Sequence, residues 1–242
     1  MKLLLDAGNS RLKWGLIDHD AWVAQGAFSH DEPWDLGAVL PPVGGLDAAF
    51  GVNVAGEGVA ARVTEALRSW TVPLRWWTPE AACCGVRNGY DDPAQLGADR
   101  WAALVGAWHL QQGAALVVTA GTATTIDVLM GDGRFAGGLI VPGVELMKRA
   151  LAGNTAQLPL VEGSMARLPT RTADAIHMGC LHAQAGAIER MFRYLSGESG
   201  AVCLINGGAA PMVMPLLGIP CRLVDNLVLE GVRVAGCARG FR

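Results

Sequence analysis

The chain has 242 residues, 51% of them apolar, and carries 19 Lys and Arg against 22 Asp and Glu for a net charge of -3. That length suits one large domain or two small lobes with a substantial core, and the scattered basic residues leave no footprint for nucleic acid. Lys2 precedes only three leucines before Asp6, too short for a secretory signal, and no run approaches a membrane span; a cytoplasmic protein without a membrane partner is expected.

In chain order, Lys2 to Leu5, Lys13 to Ile17 and Trp22 to Phe28 read as three short strands, spaced closely enough to form antiparallel hairpins. Ala48 to Val54 is a fourth strand, Gly58 to Trp70 an amphipathic helix, and Leu74 to Thr78 a fifth strand. A loop rich in Gly, Asn and Pro from Gly85 to Pro93 leads into a helix that begins near Leu96 and runs through Trp101 and Trp108. The two tryptophans, seven residues apart, mark a core stripe on that helix.

The same order restarts at Ala114. Strands are predicted at Ala115 to Thr119, Ala123 to Met130 and Arg134 to Val141, and helices at Gly143 to Ala152 and Arg171 to Leu195. Ala201 to Ile205 is a strand ending in Gly207-Gly208, followed by a helix near Pro211 to Leu217, a strand at Arg222 to Val224 and a last helix from Leu227. Leu5-Asp6-Ala7-Gly8-Asn9-Ser10 aligns without gaps to Val118-Thr119-Ala120-Gly121-Thr122-Ala123, so the repeat shows in residues as well as in pattern. The expectation is a duplicated α/β architecture, residues 1–112 and 113–242, with two lobes facing each other across a cleft.

Turns that carry Gly with Asn, Ser or Thr present backbone N–H groups and short hydroxyls, which suits a phosphate oxyanion. Gly8 and Gly121 allow the close approach, with Asn9, Ser10 and Thr122 beside them. Asp6, at the end of its strand, is placed to hold Mg²⁺ through water. A tight turn alone would also explain Asp6 and Asn9, but two such turns together with Lys13 favour the phosphate reading. Farther on, Gly97-Ala98-Asp99-Arg100 sets an acid and a base side by side at a helix start. Asp99 there is either a general base toward an alcohol or a residue that caps the helix. Arg100 is either an anion-binding group or half of a surface ion pair. Gly137-Gly138 and Gly207-Gly208 read either as close-approach points for a ligand or as plain turns. The five histidines show no metal spacing and read as structural or exposed. The six cysteines, including the adjacent Cys83 and Cys84, read as reduced thiols.

These blocks resemble the type III pantothenate kinases. Asp6 to Lys13 is similar to the family's first phosphate motif, Tyr90, Pro93 and Gly97 to Arg100 to its substrate motif, and Gly121 to Asp127 to its second phosphate motif. Gly137-Gly138 through Pro142-Gly143 looks like a fourth block. The resemblance implies duplicated actin-like (ribonuclease H-like) lobes with a nucleotide cleft between them. The implied reaction is ATP-dependent phosphorylation of pantothenate, the first step of coenzyme A synthesis, by a homodimer. It gives Asp99 the role of base, Asp6 that of Mg²⁺ partner, and Gly8, Asn9, Ser10, Lys13, Gly121 and Thr122 that of ATP phosphate ligands. Tyr90, Gly97, Ala98, Arg100 and Thr172 would hold pantothenate.

One position departs from the family pattern. Thr119 stands where the second motif normally opens with Asp, an acid associated with a bound monovalent cation, so K⁺ dependence is expected to be weak or shared with NH₄⁺. Two rival readings remain: a kinase of another small acid or sugar, and a catalytically silent regulatory protein on the same nucleotide-binding fold.

Overall fold

The computed structural model describes residues 1–155, 158, 160 and 162–239. They divide into two compact units, one formed by Met1–Gln112 with the segment from Asn226 onward, the other by Gly113–Asp225.

The first unit is built on a five-stranded sheet of order β3-β2-β1-β4-β5. Its strands are β1 (Lys2–Ala7), β2 (Arg11–Asp18), β3 (Ala21–Ser29), β4 (Ala48–Asn53) and β5 (Leu74–Trp76). The first three are antiparallel and the last two join in parallel. Because side chains alternate along a strand, Leu3, Leu5 and Ala7 of β1 enter one core with Leu12, Trp14 and Leu16 of β2. Val63 of α1 (Glu57–Ala66) packs into the same core. Leu4 and Asp6 point to the opposite face, where α2 (Ala98–Gln111) and α6 (Leu227–Ala238) lie against β4 and β1. A short hairpin of β6 (Ala82–Cys83) and β7 (Val86–Arg87) precedes α2.

The helix α2 is buried from Arg100 through Ala107. Trp101 is fully buried and meets Trp77 at a ring separation of 6.4 Å, as the tryptophan stripe predicts, while Trp108 is half-buried.

The second unit repeats this plan with a sheet of order β10-β9-β8-β11-β12. It comprises β8 (Ala115–Ala120), β9 (Ala123–Leu129), β10 (Phe135–Pro142), β11 (Val202–Asn206) and β12 (Cys221–Leu223). Again three antiparallel strands are followed by two parallel ones. Leu116, Val118 and Ala120 pack on Met178, Leu181 and Ile188 of α4 (Thr172–Phe192), while Thr119 alternates to the other face. The helices α3 (Val144–Asn154) and α5 (Ala210–Val213) complete the unit.

The final helix corrects the expected division into residues 1–112 and 113–242. Its apolar residues Leu227, Val228, Val232 and Ala235 are buried in the first unit. Two glycines set how closely it lies on α2: a Cβ on Gly106 would stand 2.5 Å from the carbonyl oxygen of Leu227, and one on Gly231 would overlap that of Ala102. Amphipathic periodicity shows that a helix must cover a sheet but not which sheet it covers.

Candidate active site

In the first unit, Asp6 sits inside β1 rather than in the turn that follows, directly across from Lys13 of β2 in the antiparallel register. Lys13 Nζ stands 3.9 Å from Asp6 Oδ2, and the Asp6 residue is 6% exposed. Burial pushes the Asp6 carboxyl up to about 6, Lys13 pulls it back, and the charge of Asp99 adds to the push. A buried acid so weakly compensated is complemented by a cation. The turn after it is closed by the N–H of Gly8 donating to Arg11 O at 3.1 Å, and the side chains of Asn9 and Ser10 stand exposed.

Asp99 lies in the first turn of α2. Burial raises its carboxyl above the ordinary range, against the hydrogen bond from the Arg100 amide and the Arg100 and Lys13 charges. Its Oδ1 accepts that amide at 2.8 Å. The acid therefore does satisfy one donor of the helix end, and it also shares the electrostatic field of Asp6 and Lys13. Gly97 is what makes room for it: a Cβ there would stand 2.7 Å from Asp99 Oδ1.

Arg100 is 4% exposed and is no surface ion pair. Its Nη1 donates to the Tyr90 hydroxyl at 2.8 Å, and its guanidinium carbon lies 5.6 Å from the centre of the Tyr90 ring. Ala98, the first residue of α2, is half-buried. The loop carrying Tyr90 is tied by Asn88, which the sequence did not single out. Asn88 Nδ2 donates to Glu80 O and Pro93 O at 3.3 and 3.2 Å, and its Oδ1 accepts the Tyr90 amide at 3.1 Å. Asn in a turn makes this kind of local bond, but neither distant carbonyl is readable from spacing.

In the second unit the equivalent turn is one residue tighter, with Gly121 N donating to Ala123 O at 3.1 Å. Gly121 and Thr122 are exposed, and Gly143 N donates to Thr122 O at 2.9 Å. A Cβ on Gly207, where φ is +100°, would overlap Ala120 O, so this glycine is required for the approach of the β11–α5 turn to the end of β8. Thr119 occupies the position that Asp6 holds in the first sheet. Its hydroxyl accepts Asn206 Nδ2 at 3.0 Å, and the same amide donates to Val118 O at 2.9 Å. Asn206, the last residue of β11, is 1% exposed. Thr172 opens α4, exposed, two residues before Asp174, whose carboxylate accepts the amide and hydroxyl of Ser164. Thus Asp6, Lys13, Asp99, Arg100 and Tyr90 are joined by contacts and fields within one unit, whereas Thr119, Gly121, Thr122 and Thr172 belong to the other.

Among solved structures, the chain is similar to a protein described as a 2-dehydro-3-deoxygalactonokinase from Sinorhizobium meliloti. The TM-score is 0.57 at 16% identity, covering 99% of this chain and 96% of that one. It is also similar to a protein described as a Baf family transcriptional activator from Campylobacter jejuni, with a TM-score of 0.59 at 20% identity over 95% and 94% of the two chains. At these identities the likeness concerns the fold, which is the duplicated one of the actin and hexokinase-like ATPases. The sequence profile of the type III pantothenate kinases matches residues 2–194. A type III pantothenate kinase from Aromatoleum aromaticum is 56% identical over 234 residues, 97% of either chain. The chain belongs to the type III pantothenate kinase family.

Proposed function

We infer that the protein transfers the γ-phosphoryl group of ATP to the hydroxyl of pantothenate, the entry to coenzyme A synthesis. The observation that carries this is the grouping, in one unit, of a buried Asp6 facing the half-buried Lys13 with Asp99 at the mouth of α2. Catalysis of phosphoryl transfer consists largely of positioning and of charge stabilisation, with one group to accept the alcohol proton.

Asp99 is the base. Its raised carboxyl is a better proton acceptor than an ordinary aspartate, and Gly97 keeps its approach clear. Lys13 of β2, with Asn9 and Ser10 on the turn opened by Gly8, binds phosphate oxygens. In the second unit Gly121 and Thr122 form a turn of the same kind. Asp6 fits Mg²⁺ held through water, since a buried carboxyl pushed up to about 6 regains its charge beside a cation. The metal, when bound, neutralises charge on the phosphates. Tyr90 and Arg100, with the backbone of Gly97 and Ala98, bind the pantothenate carboxylate side; Thr172, which opens α4 in the second unit, is a further candidate substrate residue. Arg100 acts there through a guanidinium already oriented by the Tyr90 hydroxyl.

Thr119 bears on the monovalent cation. A hydroxyl that accepts a bond from Asn206 turns its proton outward, which suits a phosphate oxygen better than a cation. We therefore read the enzyme as nearly indifferent to K⁺ or NH₄⁺. Two exposed residues of the edge strand β10, Leu139 at 40% and Ile140 at 63%, support a homodimer, because an uncovered apolar edge invites a partner. A cytoplasmic setting is supported by six free cysteines, and no described helix is long and apolar enough to cross a membrane.

The test is Asp99→Asn, read by calorimetric ATP binding and by steady-state turnover of pantothenate. ATP affinity is expected to hold while kcat falls by about 10² to 10⁴-fold. Unchanged turnover removes Asp99 from the role of base.

A further inference from the structure

His30 lies just past the end of β3 (Ala21–Ser29), outside every motif singled out in the sequence. Its ring Nε2 is 2.7 Å from Gly8 O, and its backbone N–H donates to Ser10 O at 3.2 Å. Because a carbonyl oxygen only accepts, Nε2 carries the proton. One residue thus holds the carbonyls on both sides of Asn9. His30 is in turn fixed at its own carbonyl by Arg62 Nη1, 3.0 Å away, and its ring lies 5.4 Å from that of Trp34. The Arg62 guanidinium covers the Trp34 ring at 3.8 Å and also donates through Nη2 to Glu32 O at 2.6 Å. Trp34 Nε1 donates to Ser29 O at 2.9 Å.

A turn that receives phosphate must keep its carbonyl oxygens away from the anion, because a carbonyl dipole aimed at a phosphate repels it as strongly as an N–H attracts it. Nothing within a four-residue turn enforces that choice by itself, and peptide planes in such turns rotate readily between alternatives. Here the imidazole takes the Gly8 carbonyl, and the strand backbone beside it takes that of Ser10. We propose that His30 is a positioning residue for ATP: by holding back the Gly8 and Ser10 carbonyls it fixes the Gly8–Asn9–Ser10 turn in the form that presents donors to phosphate. This rests on the reading of that turn as a phosphate site.

The experiment compares His30→Gln, which retains a side-chain N–H donor, with His30→Met, which fills similar space without one. Calorimetric ATP affinity, KM for pantothenate and Tm are measured on the intact enzyme. His30→Met is expected to weaken ATP binding at least tenfold with KM for pantothenate changed less than twofold, and His30→Gln to recover ATP affinity to within threefold of the parent. Equal ATP affinity in all three proteins overturns the proposal, as does equal weakening in both variants or a Met variant that fails to fold. Asn9→Asp separates the two layers of argument, since it sets a negative charge on the exposed face of the same turn. If Asn9→Asp leaves ATP affinity intact, the turn is not a phosphate site. If Asn9→Asp weakens ATP while His30→Met does not, the phosphate site stands and only the role of His30 is lost.

Discussion

Gly97 and Asp99 are coupled sterically: any side chain at Gly97 would begin 2.7 Å from Asp99 Oδ1, closer than real Cβ contacts come. Gly97→Ala must therefore displace the carboxylate or the start of α2. Since a shift of about 1 Å at a reacting group can cost on the order of 10²-fold in rate, kcat is expected to fall about 10 to 100-fold with ATP affinity preserved. Steady-state kinetics beside ATP calorimetry checks this, and a wild-type kcat refutes the steric account.

The Asp6 carboxyl is raised from 3.8 to about 6. A carboxyl whose pKa rises on folding stabilises the fold below its unfolded value, and that contribution is lost as pH climbs through about 6. The free enzyme near pH 8 thus carries a penalty of about 3 kcal/mol for keeping this acid ionised. Asp6→Asn should raise Tm at pH 8 and change it little at pH 4, while Mg²⁺-dependent ATP binding is lost. Melting curves across pH, with and without Mg·ATP, read both effects.

Tyr90→Phe removes the hydroxyl that accepts Arg100 Nη1. A buried guanidinium with one acceptor fewer should cost about 1–3 kcal/mol of stability. If the pair also orients Arg100 for a carboxylate, KM for pantothenate rises several-fold while KM for ATP stays fixed. A fall in Tm without any change in KM would confine the pair to a structural role.

Thr119→Asp places a carboxylate beside the Asn206 amide that now donates to the threonine hydroxyl. The new charge should make turnover depend on K⁺, whereas the parent enzyme should run at similar rates when K⁺ is exchanged for tetramethylammonium. A parent enzyme that fails without K⁺ would defeat the reading of Thr119 as an outward donor.

The succession of strands along the chain and the duplication were legible because both signals are local: alternating apolar residues, glycine turns, and a six-residue match at the start of each unit. The predicted helix from Gly58 to Trp70 instead ends as α-helix at Ala66, with a 3₁₀ turn at Arg68–Trp70 and a left-handed Thr71 after it. Asp6, Lys13 and Asp99 were legible as types at motif positions, and the structure adds that they share one field. The burial of Arg100 was not legible, since an Arg beside an Asp at a helix start resembles any exposed pair. His30, Asn88 and Asn206 act through backbone carbonyls 22, 5 and 8, and 88 residues away, and nothing in a sequence marks a carbonyl as needing a donor.

The return of α6 to the first unit has a consequence for biosynthesis. A ribosome delivers the chain at roughly 5–20 residues per second from its N-terminal end, so the strand bearing Asp6 emerges well before the helix that rests on α2. The intervening unit, Gly113–Asp225, is contiguous and has all its parts earlier. Until the residues from Leu227 onward are free to fold, the face of the first unit that α6 covers therefore stays open, even once the second unit is complete. The aspartate assigned as base gains its supporting helix only after the whole of the second unit has been synthesised.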